Sequence, residues 1–66
     1  MRNFTQILEE VKNGKTIRRV GARWFIQMVD KRLITYRLDG ANNRVFDGIT
    51  NLSSADILSN DWEVVE

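Results

Sequence analysis

Hydrophobic residues near the N-terminus recur at the spacing of an α-helix. They stand at positions i, i+3, i+4 and i+7, which places their side chains on one helix face. The set is Phe4, Ile7, Leu8 and Val11. Asn3 with Gln6 three residues later resembles a capping box, and Gly14 follows a cationic last turn. The pattern therefore predicts a helix over residues 4 to 12.

After Gly14 the pattern becomes that of β-structure. A short strand is predicted around Ile17, and Gly21-Ala22 interrupts it. Two β-prone runs follow, Trp24 to Val29 and Leu33 to Leu38, separated by residues typical of a hairpin turn. A two-residue loop at Asp30-Lys31 would set Val29 opposite Arg32, Gln27 opposite Ile34, Phe25 opposite Tyr36 and Trp24 opposite Arg37.

Both faces of the first hairpin strand are apolar. Phe25 and Val29 share one face, and Trp24, Ile26 and Met28 share the other. One face can pack on the helix, whereas the other needs a second cover. A subunit partner would supply that cover, and so would the remaining strands of a small barrel.

The C-terminal third predicts two turns, a short strand, one turn of helix and a last strand. These are a turn over 39–43, a strand over 44–46, a turn at Asp47-Gly48, a helical turn over 55–58 capped by Ser53 or Ser54, and a strand over 61–65. Alternation in the last strand places Trp62 on the side of Val64, in the core. We expect an α+β fold: an N-terminal helix on a small antiparallel β-sheet (a meander), a short C-terminal helical turn and a final strand.

At 66 residues the chain has room for one domain, 1–66, and it contains no Cys and no His. Disulfides and Cys/His zinc sites are excluded, so oligomerisation is the main remaining aid to stability in so small a domain. No apolar stretch is long enough to cross a bilayer, and we expect neither a signal peptide nor a membrane span. The lack of Cys fits a reducing cytoplasm.

Charge is unevenly placed along the chain. Residues 12 to 44 contain nine basic and two acidic side chains, and the remainder contains one basic and seven acidic. Either the two sets neutralise each other on the folded surface, or the basic middle forms an anion-binding face. The candidates to hold phosphate are Arg18, Arg19, Arg23 and Arg37. Trp24 or Tyr36 could stack on a base; alternatively, both are core residues and the arginines solubilise the chain.

Catalysis is not expected. Without His or Cys the chain cannot build a Ser-His-Asp or Cys-His arrangement, and it has no Gly-rich phosphate loop. Asp56 with Asp61 is the one carboxylate pair worth testing as a general acid and base. We therefore predict a binding domain with no cofactor and no metal.

Two stretches of the chain carry a family resemblance. The first runs Asn3-Phe4-x-x-Ile7-Leu8-x-x-Val11-Lys12-x-Gly14-Lys15, followed by Ile17-Arg18-Arg19. The second is Ser53-x-x-Asp56-Ile57-Leu58-x-x-Asp61-Trp62-Glu63-Val64-Val65. Over nearly its whole length the chain resembles the small phage family that includes Thoeris anti-defence two. That family usually has Gly-Trp where this chain has Gly21-Ala22, and Trp-x-Pro-Ser where it has Thr50-Asn51-Leu52-Ser53.

The resemblance implies a cytoplasmic sponge in the host bacterium. Such a protein helps a phage evade immunity by sequestering a cyclic nucleotide signal, glycocyclic ADP-ribose or a cyclic dinucleotide, without cleaving it. It also implies a homo-oligomer, typically a tetramer, with ligand pockets between subunits. The predicted ligand-binding residues are Arg18, Arg19, Arg23, Trp24, Tyr36, Ser53 and Asp56. The alternatives are a protein-binding inhibitor of a host enzyme, which would use the apolar strand face, and a small nucleic-acid-binding domain, which the modest net charge of +1 disfavours.

Overall fold

The computed structural model describes residues 2–65, which form two helices and five strands. In chain order these are α1 (Phe4–Lys12), β1 (Ile17–Arg19), β2 (Trp24–Val29), β3 (Arg32–Leu38), β4 (Arg44–Ile49), α2 (Ser54–Leu58) and β5 (Trp62–Val64). The strands make one antiparallel sheet in the order β4-β3-β2-β1-β5. The predicted α+β fold, with its helix, meander, short C-terminal helix and final strand, is confirmed.

Helix α1 begins and ends where the sequence signals place it. The Asn3 side chain accepts from the Gln6 backbone N–H at 2.8 Å, and the Asn3 N–H donates to Gln6 Oε1 at 2.9 Å, so the capping box is complete. Gly14 follows the C-cap with φ of 87°, a left-handed conformation that glycine adopts without strain. The buried face of the helix presents Ile7 and Val11 to the sheet.

The β2–β3 hairpin has the predicted register. Trp24 pairs with Arg37, Phe25 with Tyr36, and Val29 with Arg32. Asp30 and Lys31 both have positive φ, 51° and 65°, which is the backbone of a two-residue type I′ turn. This turn matches the right-handed twist of the strands and fixes which residues share a sheet face.

The turn predicted at Asp47-Gly48 is wrong, because β4 runs through it to Ile49. The pairing with β3 shifts between Thr35↔Gly48 and Tyr36↔Phe46, which leaves Asp47 as an extra residue in a β-bulge. Gly48 has φ of 117°, which a residue with a Cβ would rarely adopt. Asp-Gly suits a bulge as well as a turn, and the hydrogen bonds offered by β3 decide between them.

The core lies between α1 and one face of the sheet. Its fully or almost fully buried members are Ile7, Val11, Ile17, Ile26 and Trp62. Trp62 is 2% exposed, as the alternation in the last strand predicted. The sheet is open, with β4 and β5 at its edges, so the small-barrel alternative is wrong. Within residues 2–65 no helix or strand lies over the face opposite α1.

Replacing Trp62 with Ala should cost about 3 to 5 kcal/mol in the free energy of unfolding, because the change removes the largest buried side chain. That loss is comparable with the whole stability of a domain of this size. Urea unfolding followed by far-UV circular dichroism measures it.

Trp62→Phe is the matched control for this prediction. It keeps an aromatic ring in the core but removes the indole Nε1 donor, which bonds the Asp56 carbonyl oxygen at 2.8 Å. It should unfold at a urea concentration between those of the wild type and Trp62→Ala. A Trp62→Ala protein as stable as the wild type would show that the indole is not a core residue.

Candidate functional site

Two adjoining depressions lie on the α1 side of the sheet, and they share Trp24 and Asp56 as lining residues. The larger, here called the cleft, has a volume of about 440 Å³. Its lining residues are Arg23, Trp24, Ile26, Thr35, Arg37, Leu38, Asp47, Thr50, Asn51, Leu52 and Asp56. The smaller, here called the side pocket, has about 300 Å³ and is lined by Arg19, Val20, Gly21, Ala22, Trp24, Asp56 and Asp61. The cleft is within the size range of small-molecule sites.

Trp24 lines both depressions. It is half-buried at the start of β2, where its ring meets that of Trp62 edge to face at a centroid distance of 5.7 Å. The two sequence interpretations of Trp24, core residue and stacking residue, are therefore both compatible with its position. One part of the ring packs on the core, and the residue also lines the cleft.

Arg19 is held by two carboxylates. Its Nε donates to Asp61 Oδ1 at 2.9 Å, its Nη2 donates to Asp61 Oδ2 at 3.3 Å, and its Nη1 donates to Asp56 Oδ1 at 2.9 Å. The paired hydrogen bonds to Asp61 are the fork geometry in which guanidinium and carboxylate bind most strongly. Arg19 thus ties β1 to α2 and to the segment before β5.

These hydrogen bonds shift the pKa values of Arg19, Asp56 and Asp61 in the directions that favour their charged forms. The Arg19 guanidinium lowers the pKa of Asp61 and of Asp56, and the same bonds, that to Asp61 first, raise the pKa of Arg19. A general acid and base working as a pair need pKa values pushed apart. Asp56 and Asp61 instead shift in the same direction, as in a structural ion-pair network.

Asp56 is also occupied by the cap of α2. Its Oδ2 accepts from the Ser53 hydroxyl at 3.0 Å and from the Ser53 N–H at 3.3 Å, and its own N–H donates to Ser53 Oγ at 3.2 Å. Of the two serines considered as caps, Ser53 is the one used. Ser53 itself is exposed. Ser53 and Asp56 therefore define the start of the short helix beside the cleft.

Two arginines that line the cleft have weaker polar contacts than Arg19. Arg23 has no carboxylate partner within residues 2–65 and makes one long hydrogen bond, from Nη2 to Asn42 Oδ1 at 3.5 Å. Arg37 forms an ion pair with Asp47 at 3.6 Å, in which both side chains are 51% exposed. Exposed pairs of this kind contribute little, so both guanidinium groups are available to an anion in the cleft.

The structure brings together some of the predicted ligand-binding residues and separates others. Arg19, Arg23, Trp24 and Asp56 line the two depressions, and Ser53 bonds Asp56. Arg18 and Tyr36 lie on the opposite face of the sheet, since their strand partners there are Glu63 and Phe25. Those two residues therefore do not join this site.

Sequence reasoning missed the part of the cleft formed by β4 and the segment after it. Asp47 lies at the bulge, and Thr50 is fixed by a 2.8 Å hydrogen bond between its hydroxyl and that of Thr35. Asn51 also lines this wall. Only the pairing of β4 with β3 brings these residues to Trp24, and no local pattern indicates that pairing.

No protein-family model, curated protein or solved structure matches the chain. Neither helix within residues 2–65 is long and apolar enough to cross a membrane. The same residues contain no group of three or more acidic, His or Cys side chains that could hold a metal ion.

The Arg19 network should make stability sensitive to acid. Because folding lowers the pKa of Asp56 and Asp61 below the ordinary value of 3.8, these groups contribute stability above that pH and lose it as the pH falls below. The melting temperature of the wild type should therefore fall more steeply between about pH 5 and pH 2 than that of Arg19→Gln. Thermal unfolding at a series of pH values measures both curves.

Asp39 provides an internal reference for that experiment. Backbone N–H groups of Asn43 and Ala41 lower its pKa too, independently of Arg19, so part of the acid loss should persist in the variant. Arg32→Gln, which changes an exposed arginine far from the network, should follow the wild-type curve. Parallel curves for wild type and Arg19→Gln would mean that the network does not set the acid response.

Proposed function

We propose that this protein binds a small cyclic nucleotide and sequesters it without cleaving it. The observation that carries the proposal is the cleft, in which the Trp24 ring adjoins two weakly engaged guanidinium groups, those of Arg23 and Arg37. A guanidinium group can donate two parallel hydrogen bonds to two oxygens of a phosphate, and a nucleotide base can stack on the flat face of an indole ring. A nucleotide presents both chemistries on one small molecule.

The register of the hairpin explains why the charges and the ring stand together. Trp24 and Arg37 are directly paired across β2 and β3, so their side chains leave the sheet on the same face. Arg23 precedes Trp24, and its carbonyl oxygen accepts from the Leu38 N–H at 3.0 Å. Asp47 and Asp56 also line the cleft, and carboxylate oxygens can accept hydrogen bonds from ribose hydroxyls or from an amino group of a base.

Capture without cleavage is supported by the chemistry at hand. The chain has no His and no Cys, the usual bases and nucleophiles. Asp56 and Asp61 are both held by Arg19, which lowers the pKa of each carboxyl group, and this arrangement suits anchoring and not proton transfer. Arg19 is accordingly assigned to the framework, and Arg23 with Arg37 to the phosphate.

The sequence resemblance supports a role for this activity in phage evasion of bacterial immunity. On that basis the protein acts in the cytoplasm of the host bacterium, as a homo-oligomer, on glycocyclic ADP-ribose or a cyclic dinucleotide. The cleft described above is lined by residues of one chain. It is therefore a binding site that a single chain can offer before any assembly.

Arg23→Ala should weaken nucleotide binding about ten- to a hundredfold, since a charge-assisted phosphate contact contributes roughly 1.5 to 3 kcal/mol. Binding should also weaken as salt is raised. Isothermal calorimetry with glycocyclic ADP-ribose and a panel of cyclic dinucleotides measures both effects. Arg32→Ala is the matched control, because it removes an exposed arginine at the far end of β3 and should bind like the wild type.

The fate of the ligand tests the second half of the proposal. The complex is denatured by heat and the released nucleotide is identified by chromatography, where intact ligand is expected. A cleaved nucleotide would identify an enzyme in place of a sponge. Absence of binding across the panel would move the function to inhibition of another protein, which the exposed side chains of Phe46 and Ile49 favour as the second candidate.

A further inference from the structure

Asp47 is a carboxylate in a cleft whose arginines suit an anion. It lines the cleft together with Arg23 and Arg37. It is also the extra residue that the bulge in β4 leaves without a partner on β3. Bulges are common beside binding sites, where they re-aim a side chain. A carboxylate in this position repels a phosphate at close range, so its presence in the cleft needs a physical reason.

Within residues 2–65 the Asp47 side chain has one polar partner, Arg37. The contact joins Arg37 Nε and Asp47 Oδ1 at 3.6 Å, and the Asp47 carboxylate accepts no hydrogen bond from these residues. Other acids near the cleft are engaged by the framework. Asp39 Oδ1 accepts from two backbone N–H groups at 2.8 and 2.9 Å, and Asp56 caps α2 and bonds Arg19. The polar contacts of Asp47 are thus confined to the cleft.

We propose that Asp47 takes the place of the ligand's phosphate in the empty cleft. It holds the Arg37 guanidinium until an anion displaces it, and it thereby sets how tightly the cleft binds anions. This inference rests on the proposed function, in which Arg37 contacts the phosphate. Asp47 is then an affinity-determining residue that opposes binding, in contrast to a carboxylate that accepts a hydrogen bond from the ligand.

The geometry of the Arg37–Asp47 pair makes such an exchange favourable. Its one contact is long, and the Arg37 guanidinium donates no hydrogen bond within residues 2–65. The Arg19–Asp61 pair, by comparison, has two hydrogen bonds at 2.9 and 3.3 Å. A phosphate can accept two parallel hydrogen bonds from one guanidinium group. The exchange therefore replaces a weak, half-exposed ion pair with a bidentate contact.

Asp47 has two opposing effects on the ligand, and charge decides between them. The ion pair restrains the long Arg37 side chain, whose backbone is fixed opposite Trp24 on β2, and this restraint reduces the conformational entropy lost on binding. Against this, the carboxylate competes for the guanidinium and repels the phosphate directly. The restraint is weak because the pair is one long, exposed contact, so the competition dominates.

Asp47→Asn tests the exchange, because the amide keeps the shape of the side chain and removes its charge. Isothermal calorimetry at constant ionic strength uses inorganic diphosphate and the cyclic dinucleotide panel as separate probes. The variant should bind each anionic probe about three- to tenfold more tightly than the wild type. Asp30→Asn is the matched control. It makes the same charge change in the hairpin turn at the other end of β2, where φ of 51° suits asparagine, and it should change binding less than about twofold.

The gain should depend on Arg37. In an Arg37→Gln background no guanidinium is left to be released, so Asp47→Asn should improve diphosphate binding by less than about twofold. An equal gain in both backgrounds would show that Asp47 only repels the anion, and the exchange would be overturned.

A measurement on the wild type alone covers the case in which a variant fails to fold. Nuclear magnetic resonance follows the Arg37 Nε and Asp47 carboxylate carbon signals during a titration with inorganic diphosphate. Both signals should shift together along the binding curve, because one event breaks the pair, while the Asp30 carboxylate signal stays in place. Binding of diphosphate with no change at Asp47 would overturn the exchange.

The two probes separate this inference from the proposed function. Tighter diphosphate binding by Asp47→Asn, with no cyclic dinucleotide bound by either protein, would keep the exchange and overturn the proposed function. A nucleotide that binds the wild type and Asp47→Asn equally would overturn the exchange alone. Weaker nucleotide binding by the variant would also overturn it, because Asp47 would then contact the ligand as an acceptor. Absence of binding by both probes would overturn both.

Discussion

The packing of the Trp62 indole is the constraint on which the rest of the molecule depends. Trp62 stands on β5, a strand of three residues at the sheet edge, yet its ring meets Phe4 of α1 at 5.1 Å and Trp24 of β2 at 5.7 Å. Its Nε1 donates to the carbonyl oxygen of Asp56 on α2. One buried ring therefore holds the two helices and the middle of the sheet together. In a domain with so small a core, such a contact has no substitute.

The ion-pair network of Arg19 completes the same junction from the surface. Arg19 is paired with Trp62 across β1 and β5, and it reaches Asp56 on α2 and Asp61 just before β5. Helix α2 has five residues and no buried side chain, so packing alone would hold it weakly. The network and the Trp62 hydrogen bond together position the wall that α2 gives to the cleft. Arg19 is therefore a framework residue. The arginines that remain to contact an anion in the cleft are Arg23 and Arg37.

Local sequence patterns were sufficient for the parts of the fold that local interactions determine. The periodicity and capping box of α1 and the register of the β2–β3 hairpin follow from residues within a few positions of one another. The bulge in β4 does not, because Asp47-Gly48 is equally suited to a turn until β3 provides its hydrogen bonds. Asp47, Thr50 and Asn51 could not be placed at the cleft for the same reason.

The sequence predicted the types of residue at the candidate site, arginines beside aromatic side chains, but not which individual residues lie there. Arg18 and Arg19 are adjacent in sequence, so on a strand they point to opposite faces, but which face holds the cleft depends on the position of α1. The long-range contacts put Arg19 with the acids and leave Arg18 with Glu63. Tyr36 lies with Arg18 on the sheet face opposite α1. The neighbouring residue Arg37 lies on the other face, in the cleft beside Trp24.

The alternation of Trp24 and Phe25 separates two kinds of surface within one thin sheet. Trp24 faces the cleft with its arginines, whereas Phe25 faces the open side under the guanidinium groups of Arg44 and Arg18. A substitution on one face leaves the other face in place as long as the strand pairing holds. The family resemblance implies ligand pockets between subunits, whereas this cleft is formed within a single chain. The side chains that line the cleft are therefore in place without a second chain.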